Sequence, residues 1–170
     1  MQFRSPEHAL RWVYETSNTP IVKISSVNKM RGPQRASGEE ITAHDRHAQA
    51  ALIIAMCERV LSPVHMAYVQ VQFGRDATGF DLLVRQVSAS LGTGVHSRRG
   101  IESIIRSYCG ENGIGIREIK RHMQCGQLKA VSYRNSGYDV LDAIHAQAMD
   151  RIWREMEKAG LSMDSFKITA

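Results

Sequence analysis

Between Tyr138 and Met156 the residues Tyr138, Leu141, Ile144, His145, Ala148, Ile152 and Met156 recur almost entirely at steps of three and four, and Leu161 closes the series. That spacing lines side chains along one face of an α-helix. A helix with one apolar stripe must bury it against other elements, so the end of the chain is committed to helix packing. Gly160 offers a stop, and Lys158 lies favourably in the last turn. The stripe is not a sustained heptad seam. It therefore fits a brace for the segment before it better than a coiled-coil pairing with a second copy, although both remain open.

The rest of the chain repeats the helical signal. Ser5-Pro6-Glu7 is a cap, a first-turn proline and a first-turn acid, followed by Leu10, Val13 and Tyr14, and turn chemistry at Ser17-Asn18-Thr19-Pro20 predicts an end near Thr16. Residues 21–39 read as a basic arm or linker, either within reach of a phosphate backbone or simply solvated. A helix is predicted from Ile41 to about Leu61, with Ala48, Ala51, Leu52, Ile54, Ala55, Cys57 and Leu61 as its apolar face. Ser62-Pro63 opens another helix over Val64 to Phe73 that Gly74 can end. Asp76 to Ser90 is a further helix, and Leu91-Gly92-Thr93-Gly94 breaks it. The next begins near Ser97 or Gly100 and carries Ile101, Ile104, Ile105 and Tyr108. No turn flanked by alternating strands occurs. The expected class is all-α, a multi-helix bundle, with an N-terminal helix and flexible basic arm over 1–40 and a helical domain over 41–170.

With 170 residues, of which 43% are hydrophobic, the chain can bury one real core. Three cysteines, Cys57, Cys109 and Cys125, make an odd number without a signal-peptide pattern, and no apolar run approaches the roughly 18 residues that span a bilayer. A cytoplasmic protein with reduced thiols and no membrane partner is expected.

Charge is concentrated in one place. From Ser97 to Arg134 eight basic residues, Arg98, Arg99, Arg106, Arg117, Lys120, Arg121, Lys129 and Arg134, face three acids, Glu102, Glu111 and Glu118, a surplus equal to the whole chain's net charge of +5. Within this segment Ile116 to Gln124 predicts a short helix burying Ile116, Ile119 and Met123. A turn at Cys125-Gly126-Gln127 follows, then a second helix over Leu128 to Arg134 with Leu128 or Val131 inward, and behind it the long helix from Asp139 to Lys158. Two short helices around a turn suit DNA, because the major groove admits one helix while the other crosses the backbone. The groove-facing set would be Gln127, Lys129, Ser132, Tyr133 and Arg134, since arginine pairs with guanine and glutamine with adenine. Arg98, Arg99, Arg106, Arg117, Lys120 and Arg121 would hold phosphates.

The run from Gly115 to Val131, within a unit spanning 100–137, resembles the helix-turn-helix of sigma-factor region 4 and of phage and prophage regulators, including antitermination proteins of the Q type. The resemblance implies a transcription regulator that recognises double-stranded DNA; separately, the small-residue helix from Ile41 to Leu61 and the apolar C-terminal helix could assemble a homodimer or dock on a partner such as RNA polymerase. Lys120 stands where helix-turn-helix units usually carry a small residue, and the turn glycine comes late, at Gly126. A one-residue change in the turn rotates the second helix by about 100°.

Other chemistry is weaker. Cys109, His122 and Cys125 lack the fourth ligand of a structural zinc site, and His44 and His47 lack a third. Gly110-Glu111-Asn112-Gly113-Ile114-Gly115 lacks the strand and the Gly-Lys-Ser/Thr ending of a phosphate loop. No Gly-x-Ser-x-Gly elbow occurs. Neither an enzyme nor a cofactor or metal is expected. The alternative function is a helical interaction or dimerisation module. RNA binding has less support, with only Tyr108, Tyr133 and Tyr138 offering stacking rings near the basic segment.

Overall fold

The computed structural model describes residues 2–19, 42–92 and 97–162. Among these residues the chain forms seven α-helices: α1 (Pro6–Asn18), α2 (Ala43–Val60), α3 (Pro63–Val69), α4 (Phe80–Leu91), α5 (Arg98–Tyr108), α6 (Ile116–Met123) and α7 (Gln127–Lys158). The only β feature described is one parallel bridge between Phe3 and Ser162, where the Phe3 N–H donates to the Leu161 carbonyl at 2.8 Å. The fold is all-α, as the periodicity predicts. The expected arm at 21–39 and the connector at Thr93-Gly94 lie outside the described residues.

Helix starts follow local chemistry. The Ser5, Ser62 and Ser97 side chains accept from the backbone N–H groups of His8, His65 and Gly100, and Thr42 and Asp45 form a reciprocal capping box before α2. α1 runs two residues past Thr16, because the Ser17 hydroxyl donates back to the Val13 carbonyl at 2.9 Å and keeps the polar end helical. After Val69 the chain widens into a π-turn, Gln70–Gly74, rather than staying α-helical to Phe73. The left-handed residue that ends it is Arg75, at φ 53°. Gly74 serves space instead, since a Cβ there would lie 2.7 Å from the Tyr14 ring.

The main core is built from α1 (Ala9, Leu10, Val13), α2 (Ala50, Ile53, Met56, Cys57), α3 (Ala67, Tyr68, Val69), α4 (Leu83, Val84, Val87), α5 (Ile101, Ile105) and α7 (Leu141, Ile144, Ala148, Met149, Ile152, Met156). The expected α2 face needs correction. Ala48, Ala51, Leu52 and Ala55 are exposed, and the helix has turned so that Ala50, Ile53 and Met56 join Cys57 inside.

The predicted split between a recognition helix and a bracing helix also needs correction, because α7 is one continuous helix of 32 residues. Gly137 does not break it. A Cβ there would lie 2.7 Å from Ile104 Cγ2, so glycine is what lets α7 pass close to α5.

Candidate nucleic-acid interface

α5, α6 and the first turns of α7 share a small core of their own. Ile104, Ile119 and Ala130 are fully buried together, ringed by Leu91, Ile116, Met123, Cys125, Tyr133 and Tyr138. Of the three positions expected inside α6, Ile119 is buried and Ile116 and Met123 are half-buried. Gly100 gives Met123 its place, since a Cβ there would collide with the Met123 side chain. His122 ties α6 to α5: its carbonyl accepts from the Ser97 hydroxyl, and its Nδ1 lies 2.7 Å from Ser103 Oγ.

The turn between α6 and α7 is Gln124-Cys125-Gly126. Gln124 takes the left-handed conformation, φ 50° and ψ 44°, which glycine would occupy at least cost. Gly126 is the N-cap of α7. An open cleft of about 550 Å³ lies against this turn, lined by Ile116, Arg117, Lys120, Arg121, Gln124, Cys125 and Gln127. Its lining holds three basic side chains and no acid. Glu118 stands beside it, 2.7 Å from Arg121 and 3.7 Å from His122 Nε2.

The six residues expected at phosphates are not brought to one place. Arg117, Lys120 and Arg121 share the cleft just described. Arg98 and Arg106 line a different one, of about 840 Å³, where Arg75, Arg98 and Arg106 are balanced by Asp76, Asp81 and Glu111. Arg98 pairs with Asp81, and with Glu102 at 2.8 Å; Arg106 lies 3.7 Å from Glu111 and its guanidinium stacks 5.6 Å from the Phe80 ring. Arg99 is exposed at the start of α5 and lines neither cleft.

Among the five positions expected to face the groove, Gln127, Lys129 and Ser132 are exposed. Tyr133 is half-buried and packs against both cores, with the Lys129 ammonium 5.7 Å from its ring centre. Arg134 is half-buried; its guanidinium donates to Asn135 Oδ1 at 3.1 and 3.3 Å and lies 5.8 Å from the Tyr138 ring centre. Leu128, offered as an inward position, is 88% exposed, while Ala130 takes the buried place. Leu128, Ser132 and Asn135 fall at i, i+4 and i+7, opposite Ala130, and all three are exposed. Sequence spacing leaves Leu128 or Val131 as the inward position and does not single out Asn135, because it does not fix the register of α7. The burial of Ala130 and Gly137 supplies it.

A second set of contacts carries this unit back into the body of the molecule. The Tyr138 hydroxyl lies 2.9 Å from Ser107 Oγ, Tyr108 donates to Asp142 at 2.6 Å, and the Tyr68 hydroxyl lies 3.1 Å from His145 Nδ1. The rings of Tyr138, Tyr108 and Tyr68 meet edge to face at 5.3 and 6.4 Å. Burial holds the Tyr68 phenol up at about 12, and burial with the Asp142 carboxylate drives that of Tyr108 higher still.

Serine, histidine and a carboxylate do line up here, as Ser103, His122 and Glu118. Ser103 is only 4% exposed and its hydroxyl also donates to the Arg99 carbonyl at 2.9 Å, so it clamps α5 against α6. Among the described residues no three His, Cys, Asp or Glu side chains converge on a point where a metal could sit. Among the same residues no helix is long and apolar enough to cross a membrane. Compared with known proteins, the chain matches no protein-family model and no curated sequence.

Proposed function

We propose that this chain is a transcription regulator of phage or prophage type that binds duplex DNA through α6 and the first turns of α7. The observation that carries the reading is the cleft at the α6–α7 turn, with Arg117, Lys120 and Arg121 in its wall, no acid, and the exposed start of α7 beside it. A basic concavity next to an exposed helix start suits a phosphate backbone flanking a groove. Gln127, Lys129, Ser132 and Asn135 are the polar side chains offered to base edges. Arg134 and Tyr133 act from behind, Arg134 by fixing Asn135 and Tyr133 by packing under Lys129. The reading is of a binding protein.

The test is fluorescence anisotropy with labelled random duplex DNA at about 50 and 200 mM salt. Among the described residues Arg117 and Lys120 are unpaired while Glu118 partly holds Arg121, so two to three phosphate contacts give a slope of about −1.8 to −2.7 in log affinity against log salt, and a fourfold rise in salt should weaken binding about 12- to 40-fold. Alanine at Arg117, Lys120 and Arg121 together should abolish that dependence. No binding at the lower salt would end the proposal.

A second reading is a helical module that pairs with another copy or docks on RNA polymerase. It is supported by Ala48, Ala51, Leu52 and Ala55 on the outer face of α2, where Leu52 is 72% exposed. Binding of a protein partner that survives the triple alanine change, with no binding of duplex, would favour it.

A further inference from the structure

We infer that Leu128 is the apolar reading element of this interface and seats its side chain against the C5-methyl group of a thymine in the major groove. The inference rests on the DNA-binding reading and adds the base chemistry recognised. Among the described residues Leu128 is the most exposed of the three large apolar side chains left outside, at 88%, against 72% for Leu52 and 39% for Leu82. It stands in the first turn of α7, opposite buried Ala130, on the same outward ridge as Ser132 and Asn135. In a major-groove helix that end of the helix meets base edges.

The surroundings identify the occupant. Gln127 and Lys129 flank Leu128, and Gln127 also lines the cleft walled by Arg117, Lys120 and Arg121. A protein socket would call for a contiguous exposed apolar patch around the leucine, whereas Gln127 and Lys129 beside it and Ser132 and Asn135 along its ridge are exposed polar or basic residues. A polyanion matches the charge. Within a duplex the thymine methyl is the apolar group presented to the major groove, where an aliphatic side chain can cover it.

The experiment begins with selection of a preferred site by the full chain from a random duplex pool. Each thymine of that site is then replaced singly by uracil, which removes the methyl and leaves the base-pair hydrogen bonds intact. One position should lose about fourfold in affinity for the wild type, the worth of one buried methyl. Leu128→Ala should bind the thymine and uracil duplexes at that position equally, and should retain salt-dependent binding to random duplex. The removed side chain is almost wholly exposed, so the variant should fold, and an unchanged circular dichroism melt checks this.

Three results would overturn the inference: no preferred site, no position sensitive to uracil, or a sensitive position that stays sensitive in Leu128→Ala. In each the protein still binds duplex, so the DNA-binding reading survives and Leu128 falls to a protein partner. Absence of any duplex binding at low salt is a different outcome and removes both.

Discussion

Gly137 is the point at which helix propensity and packing oppose each other, which makes Gly137→Ala informative. In the middle of a helix alanine is favoured over glycine by about 1 kcal/mol. Here the added Cβ would sit 2.7 Å from Ile104 Cγ2, while its distances to Val87 Cγ1 and Ile104 Cβ, 3.6 and 3.8 Å, are ordinary. Carbon atoms rest at about 3.5–4.0 Å. Ile104 is fully buried with Ile119 and Ala130 and has no open side to move toward. Overpacking of this kind costs about 1–3 kcal/mol, and the rigid setting argues for the upper half, leaving a net loss of about 1–2 kcal/mol. For a chain this long that is a fall in Tm of about 2–8 °C. Urea unfolding followed by circular dichroism should show a lower midpoint at unchanged slope. With Ile104→Ala as background Cγ2 is absent, so Gly137→Ala should become neutral or stabilising, a coupling of about 1–3 kcal/mol. Ser136→Ala, exposed on the same helix, should stay within about 0.5 kcal/mol of wild type. If Gly137→Ala stabilises the otherwise wild-type chain, or costs the same in both backgrounds, the close approach of α5 and α7 is not what keeps glycine there.

Two further predictions separate the charges and the tyrosines. Lys120→Ala should weaken all duplexes alike and lower the salt slope by about 1. Arg98→Ala should change duplex affinity by less than about twofold, because its exposed pairs with Asp81 and Glu102 already neutralise it; equal effects from the two variants would refute the division into two clefts. Burial raises Tyr14 and Tyr68 from about 10 to about 12. The unfolded chain therefore releases these protons first, and stability, full below pH 10, should fall as pH rises from about 10 to 12. Tyr68→Phe should flatten part of that fall in urea titrations, and an unchanged slope would count against the buried phenol.

What was legible in the sequence was local. A serine before proline caps a helix whatever surrounds it, so the starts at Ser5 and Ser62 could be placed from a few residues, whereas the next start stayed open between Ser97 and Gly100 until the Ser97 cap was seen. The face of α2 could not. Apolar residues occur all round that helix, and the choice between Ala51-Leu52-Ala55 and Ala50-Ile53-Met56 is made by α1 and α7, which pack against it. Asn135-Ser136-Gly137 has the composition of a turn, and only the passage of α7 across Ile104 explains why it is helix. In the candidate site the surplus of positive charge was plain, but its division was not. Arg98 finds Asp81 from 17 residues away, a pairing that no local pattern announces.

The continuity of α7 has a mechanical consequence. The helix is a rod about 48 Å long, anchored in the main core by Leu141 through Met156 and carrying Gln127 to Asn135 at its other end. There is no joint between anchor and tip. Under the proposed duplex binding, little of the free energy of association would be spent on ordering this helix, which arrives with its shape already set. In that proposed complex, any misfit between the helix and a duplex would fall to the DNA to absorb. Base steps that bend or twist easily would be preferred even where no side chain touches them.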